Sequence, residues 1–350
     1  AELWLNVKKI AKWIDTNLDP QARVGILLDN SYEAVLAIYS IVMSNRICIP
    51  LDADINDRNI QYIINDASIS LIFTSKKYRE KLEKLNTESK FKIVLKNVDD
   101  NGKKYNSIEK IIQNIDANDL KETVRVSKSC IACILYTAGT TGIKKGVMLS
   151  HDNLLSASNN INKFMKIDHW AIESLPMRLS HSFGFARLRC IFNVGGTVII
   201  ENGMLRPERI LFNMKLYGAN AISSVPAGFA ILLDYYIKQF EEISLQIKYI
   251  EIGSSFMKKP HKNELMRLCP NARICMHYGL TEASRSTFIE FNSEKDKLHT
   301  VGRPTPNVEL RIMDENGKKL GPNQTGEILV KGQMVMKSYL NKHDMTMEYL

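Results

Sequence analysis

Leu135-Tyr136-Thr137-Ala138-Gly139-Thr140-Thr141-Gly142-Ile143-Lys144-Lys145-Gly146 interrupts a regular alternation of apolar and polar segments. An apolar run at 130–135 precedes it and reads as a buried strand, and a helix start signal follows at 150–153. Within the stretch, three glycines, three threonines and two lysines leave almost nothing that could fill a core. Glycine permits close backbone approach, so N–H groups can converge on an anion. Threonine hydroxyls add donors and lysine adds positive charge, and the set suits a polyphosphate. A solvated turn is the bland alternative. Hydroxyls repeated at 137, 140 and 141, beside glycines at 139 and 142 and directly after a strand, favour the phosphate loop. No G-x-x-x-x-G-K-[ST] spacing overlays the stretch, nor does G-x-G-x-x-G, so it is neither a Walker A loop nor a dinucleotide turn.

On the N-terminal side, apolar strand-sized runs at 24–28, 46–50, 69–74 and 91–95 alternate with helical periodicity. The turn cluster at 97–104 and the polar connection at 116–123 mark an expected seam. After the loop, alternation resumes, with helices expected at 150–167 and 182–193 and strands at 171–176, 197–200, 219–225, 249–252 and 272–276. From 301 two short strands surround Asp314-Glu315-Asn316-Gly317, a hairpin signal. The expectation is an α/β protein with two parallel-rich sheets flanked by helices plus a small β-rich subdomain. Its boundaries are read as 1–118, 119–300 and 301–350.

The chain has 350 residues, 45% hydrophobic and 24% charged, ordinary proportions for a globular protein able to bury a large core. Lysine and arginine exceed the acids by nine, scattered without an arginine-rich arm, so an anionic small ligand is favoured over nucleic acid. The apolar runs are too short to cross a bilayer, and Lys8-Lys9 breaks any signal-peptide pattern, which points to a cytoplasmic protein. Cys130-x-x-Cys133 has no second C-x-x-C or histidine pair to complete a zinc set, so the six cysteines read as reduced core thiols.

Ligands of open α/β sheets collect at the carboxyl ends of strands. Three such ends are polar and glycine-rich: the loop, Gly253-Ser254-Ser255, and Tyr278-Gly279-Leu280-Thr281-Glu282. The last combines an aromatic plate, a hydroxyl and a carboxylate able to hold Mg²⁺ through oxygen. In combination these segments resemble the adenylate-forming superfamily of acyl-CoA synthetases, adenylation enzymes and luciferase-like ligases. Residues 136–146 match its phosphate loop, His181-Ser182-Phe183-Gly184 its His-x-x-Gly segment, and 253–255 its Gly-Gly-Ala-type turn. Residues 278–282 match its Tyr-Gly-x-Thr-Glu motif, and 326–332 with Met336 and Tyr339 match the start of its last strands. The motifs occur in family order along essentially the whole chain.

The resemblance implies a five-layer-like N-domain and two half-reactions: ATP and a carboxylic acid give an acyl-adenylate and pyrophosphate, then a thiol of CoA or of carrier-protein phosphopantetheine takes the acyl group. It implies that Thr137, Ala138, Gly139, Thr140, Thr141, Gly142 and Lys145 cradle phosphates. Thr281 would meet the α-phosphate and Glu282 would hold Mg²⁺. Gly253, Ser254, Ser255, His277, Tyr278 and Gly279 would surround adenine. His181, Phe183, Gly184, Val225, Pro226, Gly253 and Gly279 would border the acid, with Phe185 and Phe229 adding apolar walls. Gly184 stands where amino-acid-activating relatives usually carry an aspartate, which favours an apolar aliphatic or aryl acid. Ala138 replaces the usual serine, Lys144 the usual proline, and His277 a residue that is often small or polar. The family's ribose-binding aspartate and its lid domain with a catalytic lysine would lie beyond Leu350, so the chain reads as a trimmed large domain. A non-catalytic nucleotide- or acid-binding module, or pseudoenzyme, is the alternative.

Overall fold

The computed structural model describes residues 1–96, 106–120, 126–138 and 144–350. In chain order it runs α1 (Glu2–Asn17), β1 (Arg23–Leu27), α2 (Tyr32–Met43), β2 (Ile47–Pro50), α3 (Asp57–Asp66), β3 (Leu71–Ser75), α4 (Lys76–Glu83), β4 (Lys92–Lys96), β5 (Asn106–Ser107), α5 (Ile108–Asn114), β6 (Ile131–Ala138) and β7 (Lys144–Ser150). There follow α6 (His151–Met165), β8 (Ile172–Leu175), α7 (Ser182–Asn193), β9 (Thr197–Ile200), α8 (Pro207–Leu216), β10 (Ala221–Ser224), α9 (Pro226–Tyr235), α10 (Ile237–Ser244), β11 (Tyr249–Ile252), α11 (Lys259–Leu268) and β12 (Arg273–Tyr278). The last elements are β13 (Thr287–Glu290), β14 (Arg303–Pro304), β15 (Glu309–Met313), β16 (Glu327–Lys331), β17 (Ser338–Tyr339) and α12 (His343–Tyr349). Contacts divide the chain into two units: Ala1–His151 with Leu179–His181 and Met336–Leu350, and Asp152–Arg178 with Ser182–Val335.

The first unit is built on a sheet of order β17-β7-β6-β2-β1-β3-β4-β5. Its central strands pair in parallel, and their apolar runs are buried on both faces. Local chemistry sets the helices. Val7, Ile10, Ala11 and Ile14 form the buried stripe of α1. The Ser31 and Asn56 side chains accept from Ala34 N (3.3 Å) and Asn59 N (2.9 Å) to cap α2 and α3. Two expectations differ here. The 97–104 cluster lies outside the described residues. The boundary read at 118/119 is not where the chain divides, because β6 joins the first sheet beside β2 with Cys48 opposite Cys133. Residues 144–150 also form a strand rather than a bare lead into α6: β7 pairs antiparallel with β6.

In the second unit the sheet order is β14-β13-β12-β11-β10-β8-β9, parallel through its centre with an antiparallel edge at β13 and β14. Side-chain alternation assigns its two faces. Ile222, Ile250, Ile252, Ile274 and Ile289 pack with residues of α8 to α11 such as Ile210, Phe229, Phe240 and Leu265. Ala221, Tyr249, Cys275 and Phe288 pack with residues of α6 and α7 such as Ile161, Met165, Ala186 and Cys190. The small β-rich part expected from 301 onward is present as an antiparallel sheet of its own, within the second unit rather than as a third one. β14 extends the second sheet, β17 joins the first, and β15 with β16 makes a separate two-stranded antiparallel sheet. The turn signal there holds, with Asp314 Oδ1 accepting from Asn316 N (3.0 Å) and Lys318 N (2.8 Å).

Candidate active site

Antiparallel pairing of β6 and β7 places Thr137 opposite Lys145 and Ala138 opposite Lys144. Opposed residues share a face, and successive residues alternate. Thr137 and Lys145 therefore lie on one face of the hairpin, Tyr136 and Lys144 on the other. Lys145 Nζ stands 5.4 Å over the Tyr339 ring and 5.3 Å over the Tyr349 ring. On the opposite face the Tyr136 hydroxyl donates to Asp66 at 2.6 Å, and burial, reinforced by that carboxylate, pushes the phenol's pKa up. Gly139, Thr140, Thr141 and Gly142, expected to cradle phosphate, lie outside the described residues, and so does the side chain of Ala138.

A cavity of about 280 Å³ within the first unit is lined by Tyr136, Lys144, Asn56, Asn59, Asp52 and His181, among others. His181 Nε2 lies 3.0 Å from Asp52 Oδ2, and Asp52 Oδ1 accepts from Asp54 N at 3.0 Å. Leu179 N donates to Asn30 Oδ1 at 2.9 Å, which anchors the segment that carries His181.

Three glycines of the second unit are required by close approach rather than by free space. A Cβ at Gly184, in the first turn of α7, would fall 2.2 Å from Arg178 O. At Gly253, just after β11, it would fall 2.0 Å from the His277 ring. At Gly279 it would fall 2.6 Å from Arg285 N and 2.9 Å from Ala283 O, so that position is closed by the backbone of its own turn. The same turn is held by Leu280 N to Ala283 O (3.1 Å), and it carries Thr281, whose Oγ1 meets Ser182 Oγ at 3.4 Å. Thus 182–184, 253 and 277–281 come together, whereas Thr137, Lys145 and His181 belong to the first unit. Val225 and Pro226 open α9, half-buried and buried respectively, and Ser254 is exposed with φ +73°. The expected apolar walls are core residues: Phe229 is fully buried among α8 to α11, and Phe183 is only 3% exposed, edge-on to His277 at 4.8 Å.

Sequence reasoning missed a buried ionic cluster beside these segments. By alternation Glu173, Tyr249, Glu251 and His277 all face α7, which supplies Arg187. Arg187 Nε donates to Glu173 Oε1 at 2.9 Å, and its Nη1 lies 2.8 Å from Glu251 Oε2. Arg285 Nε donates to Glu251 Oε1 at 3.0 Å, and His277 Nδ1 is 2.7 Å from the same oxygen. Tyr249 donates its hydroxyl to Glu173 at 2.5 Å. Two guanidinium groups thus balance two carboxylates, the condition under which buried charge is tolerable. Burial alone would push the Glu251 carboxyl up, but Arg285 and Arg187 hold it well below the usual range. Burial pushes the His277 imidazole down, and Arg285 adds to this against the pull of Glu251. The available signal was a carboxylate inside a short apolar strand: Glu251 between Ile250 and Ile252, Glu173 after Ile172.

Among the described residues no group of three histidine, cysteine or acidic side chains could hold a metal by itself. The half-buried Glu282 carboxylate nonetheless fits Mg²⁺, which commonly takes one or two protein carboxylates and completes its shell with phosphate oxygens and water. All six cysteines are free, five of them buried, and burial pushes the Cys269 thiol up to about 12. No described helix is long and apolar enough to cross a membrane.

The profile of the family described as "AMP-binding enzyme" matches residues 1–340. The chain is 26% identical to 4-coumarate–CoA ligase-like 2 of Arabidopsis thaliana over 358 residues, covering 99% of the chain and 62% of that protein. It is 23% identical to bacitracin synthase 3 of Bacillus licheniformis over 95% of the chain and 5% of that protein. The solved structure of ATP-bound MatB from Rhodopseudomonas palustris superposes with a TM-score of 0.86 at 23% identity, over 99% of this chain and 67% of that one. The chain therefore spans less than two thirds of the curated plant relative's length.

Proposed function

The chain belongs to the AMP-binding enzyme family, and from that premise we propose that it activates a carboxylic acid with ATP, releasing pyrophosphate, and passes the acyl group to a thiol of CoA or of a carrier protein's phosphopantetheine. The observation that carries this reading is the meeting, in one unit, of the α7 start, the Gly253 turn and the Tyr278 to Glu282 turn, with Ser182 and Thr281 hydroxyls 3.4 Å apart. These are short polar segments at strand and helix ends, where α/β folds bind ligands.

In this reading Thr137 and Lys145, with Ala138 and the glycines and threonines of 139–142, contact the β- and γ-phosphates. Thr281 meets the α-phosphate, at the centre attacked by the acid carboxylate. Tyr278 stacks on adenine, with Ser254, Ser255, His277 and Gly279 around it. Glu282 would hold Mg²⁺, whose positive charge would offset that of the phosphates. His181 stands at the acid, its ring oriented by Asp52. Phe183, Gly184, Val225, Pro226 and Gly253 border that acid, and its class is apolar aliphatic or aryl. Such chemistry requires no covalent enzyme intermediate. Positioning and charge neutralisation supply the rate.

The test is acid-dependent exchange of labelled pyrophosphate into ATP, run on the complete native polypeptide with a panel of aliphatic and aryl acids. Exchange with at least one acid is expected, and Lys145→Ala should raise the KM for ATP by about tenfold, the loss of one charge-assisted phosphate contact. No exchange with any acid, despite measurable ATP binding, would replace this reading with the non-catalytic binding module. AMP release on adding CoA, compared with a pantetheinylated carrier protein, identifies the thiol.

A further inference from the structure

Arg285 is fixed more tightly than packing requires. Its φ of +51° lies in the left-handed region, which a residue with a side chain adopts only where its surroundings impose it. Its side chain is 4% exposed, and its donors are spread over two elements. Nε reaches Glu251 Oε1 on β11 at 3.0 Å, Nη2 reaches Phe183 O at 3.2 Å, and Nη1 reaches Ser182 O at 3.4 Å. The guanidinium also lies 4.8 Å over the Phe183 ring. From behind, Thr305 Oγ1 donates to Arg285 O at 3.1 Å. One side chain therefore joins the turn after β12, the start of α7 and β11, the strand just before Gly253.

We propose that Arg285 is a positioning residue for acid activation. It fixes the separation between the Ser182–Phe183 backbone and the Thr281–Glu282 turn, so that groups on both segments are in place before substrates arrive. This inference rests on the acid-activating function proposed above and deepens it. The planar fork of arginine suits this role, because three donors in one plane address two carbonyls and a carboxylate at once, whereas a lysine ammonium is a point charge on a flexible stem. The Ser182–Thr281 contact at 3.4 Å is the distance the clamp sets.

Arg285→Lys in the complete native polypeptide tests it. The variant keeps a cation for Glu251 but cannot span both carbonyls. The expected result is kcat for pyrophosphate exchange lowered by about 100-fold, the scale of a misplacement of roughly 1 Å, with KM for ATP and for the acid within threefold. Amide hydrogen exchange should accelerate at 182–184 and 279–286 and remain unchanged in the first unit. A kcat within threefold of wild type, a loss confined to KM, or unaltered exchange at both segments would each overturn the proposal. Should the lysine variant not fold, Thr305→Val loosens the same clamp more gently: about fivefold lower kcat with faster exchange at 279–286 is expected, and neither change would refute it. Absent pyrophosphate exchange in the wild type would overturn the acid-activating function itself. That failure is distinct from failure of the clamp, because hydrogen exchange reads the clamp without turnover.

Discussion

At the scale of single residues, the glycines and the buried histidine make the sharpest predictions. Gly279 is expected to border the acid, and any Cβ there meets the backbone of residues 283 and 285. Gly279→Ala should therefore cost about 1–3 kcal/mol in chemical denaturation, the range for overpacking. Gly321→Ala, whose nearest neighbour is Gln324 Oε1 at 3.7 Å, should stay within about 0.5 kcal/mol. His277 predicts a pH dependence. Its folded pKa lies below the ordinary histidine value, so the unfolded chain binds this proton more readily. The contribution of His277 to stability is thus complete above the unfolded pKa, about 6.5, and is lost as the pH falls toward the folded value. Half-buried His151, whose pKa burial also lowers, acts in the same direction. Thermal midpoints measured between pH 7.5 and 5.5 should fall, and His277→Gln should flatten part of that slope; an unchanged slope would show that His277 binds its proton equally in the folded and unfolded states.

At the scale of elements, what was legible depended on how local the cause was. The α7 bounds, Ser182–Asn193, coincide with the helix read from the sequence, and the strands at 249–252 and 197–200 do as well. Those elements follow from apolar periodicity inside one segment. The β6–β7 hairpin was less legible, because β7 begins Lys144-Lys145-Gly146 and only its later residues look like a strand. The boundary between units could not be read, since it depends on β6 pairing with β2 across a long stretch of chain. The ionic cluster depends on the same kind of information. Glu251 and Arg285 are 34 positions apart, and only the parallel order β8-β10-β11-β12 together with the overlying α7 brings Glu173, Glu251, His277 and Arg187 onto one face. Of the site, the glycine turns and the Thr281 turn were legible as motifs. The arginine joining them was not, because nothing in its local sequence distinguishes it from a surface cation.

At the scale of the whole molecule, residues 336–350 are structural. β17 pairs with β7 through Tyr339 opposite Val147, and Tyr339 and Leu340 are buried. Leu340 also packs in the core of the first unit with Ile134 and Ile60. Deleting residues 336–350 should leave β7 as an uncovered edge, and unpaired edges template association between chains. The expected outcome is a lower unfolding midpoint with concentration-dependent aggregation, measured by calorimetry and light scattering. A monomeric fragment with an unchanged midpoint would contradict it.

The two-faced hairpin has a consequence for what this chain can tolerate. With Thr137 paired to Lys145, the two lysines point to opposite sides, one toward the tyrosine rings and one toward the cavity. A slip of β7 by one position against β6 would exchange those sides. Lys144 would then face the tyrosines and Lys145 the cavity. Substitutions such as alanine at 138 or lysine at 144 leave the register intact and so leave both faces as they are. Changes that keep the β6–β7 register should therefore be tolerated here more readily than changes that shift it.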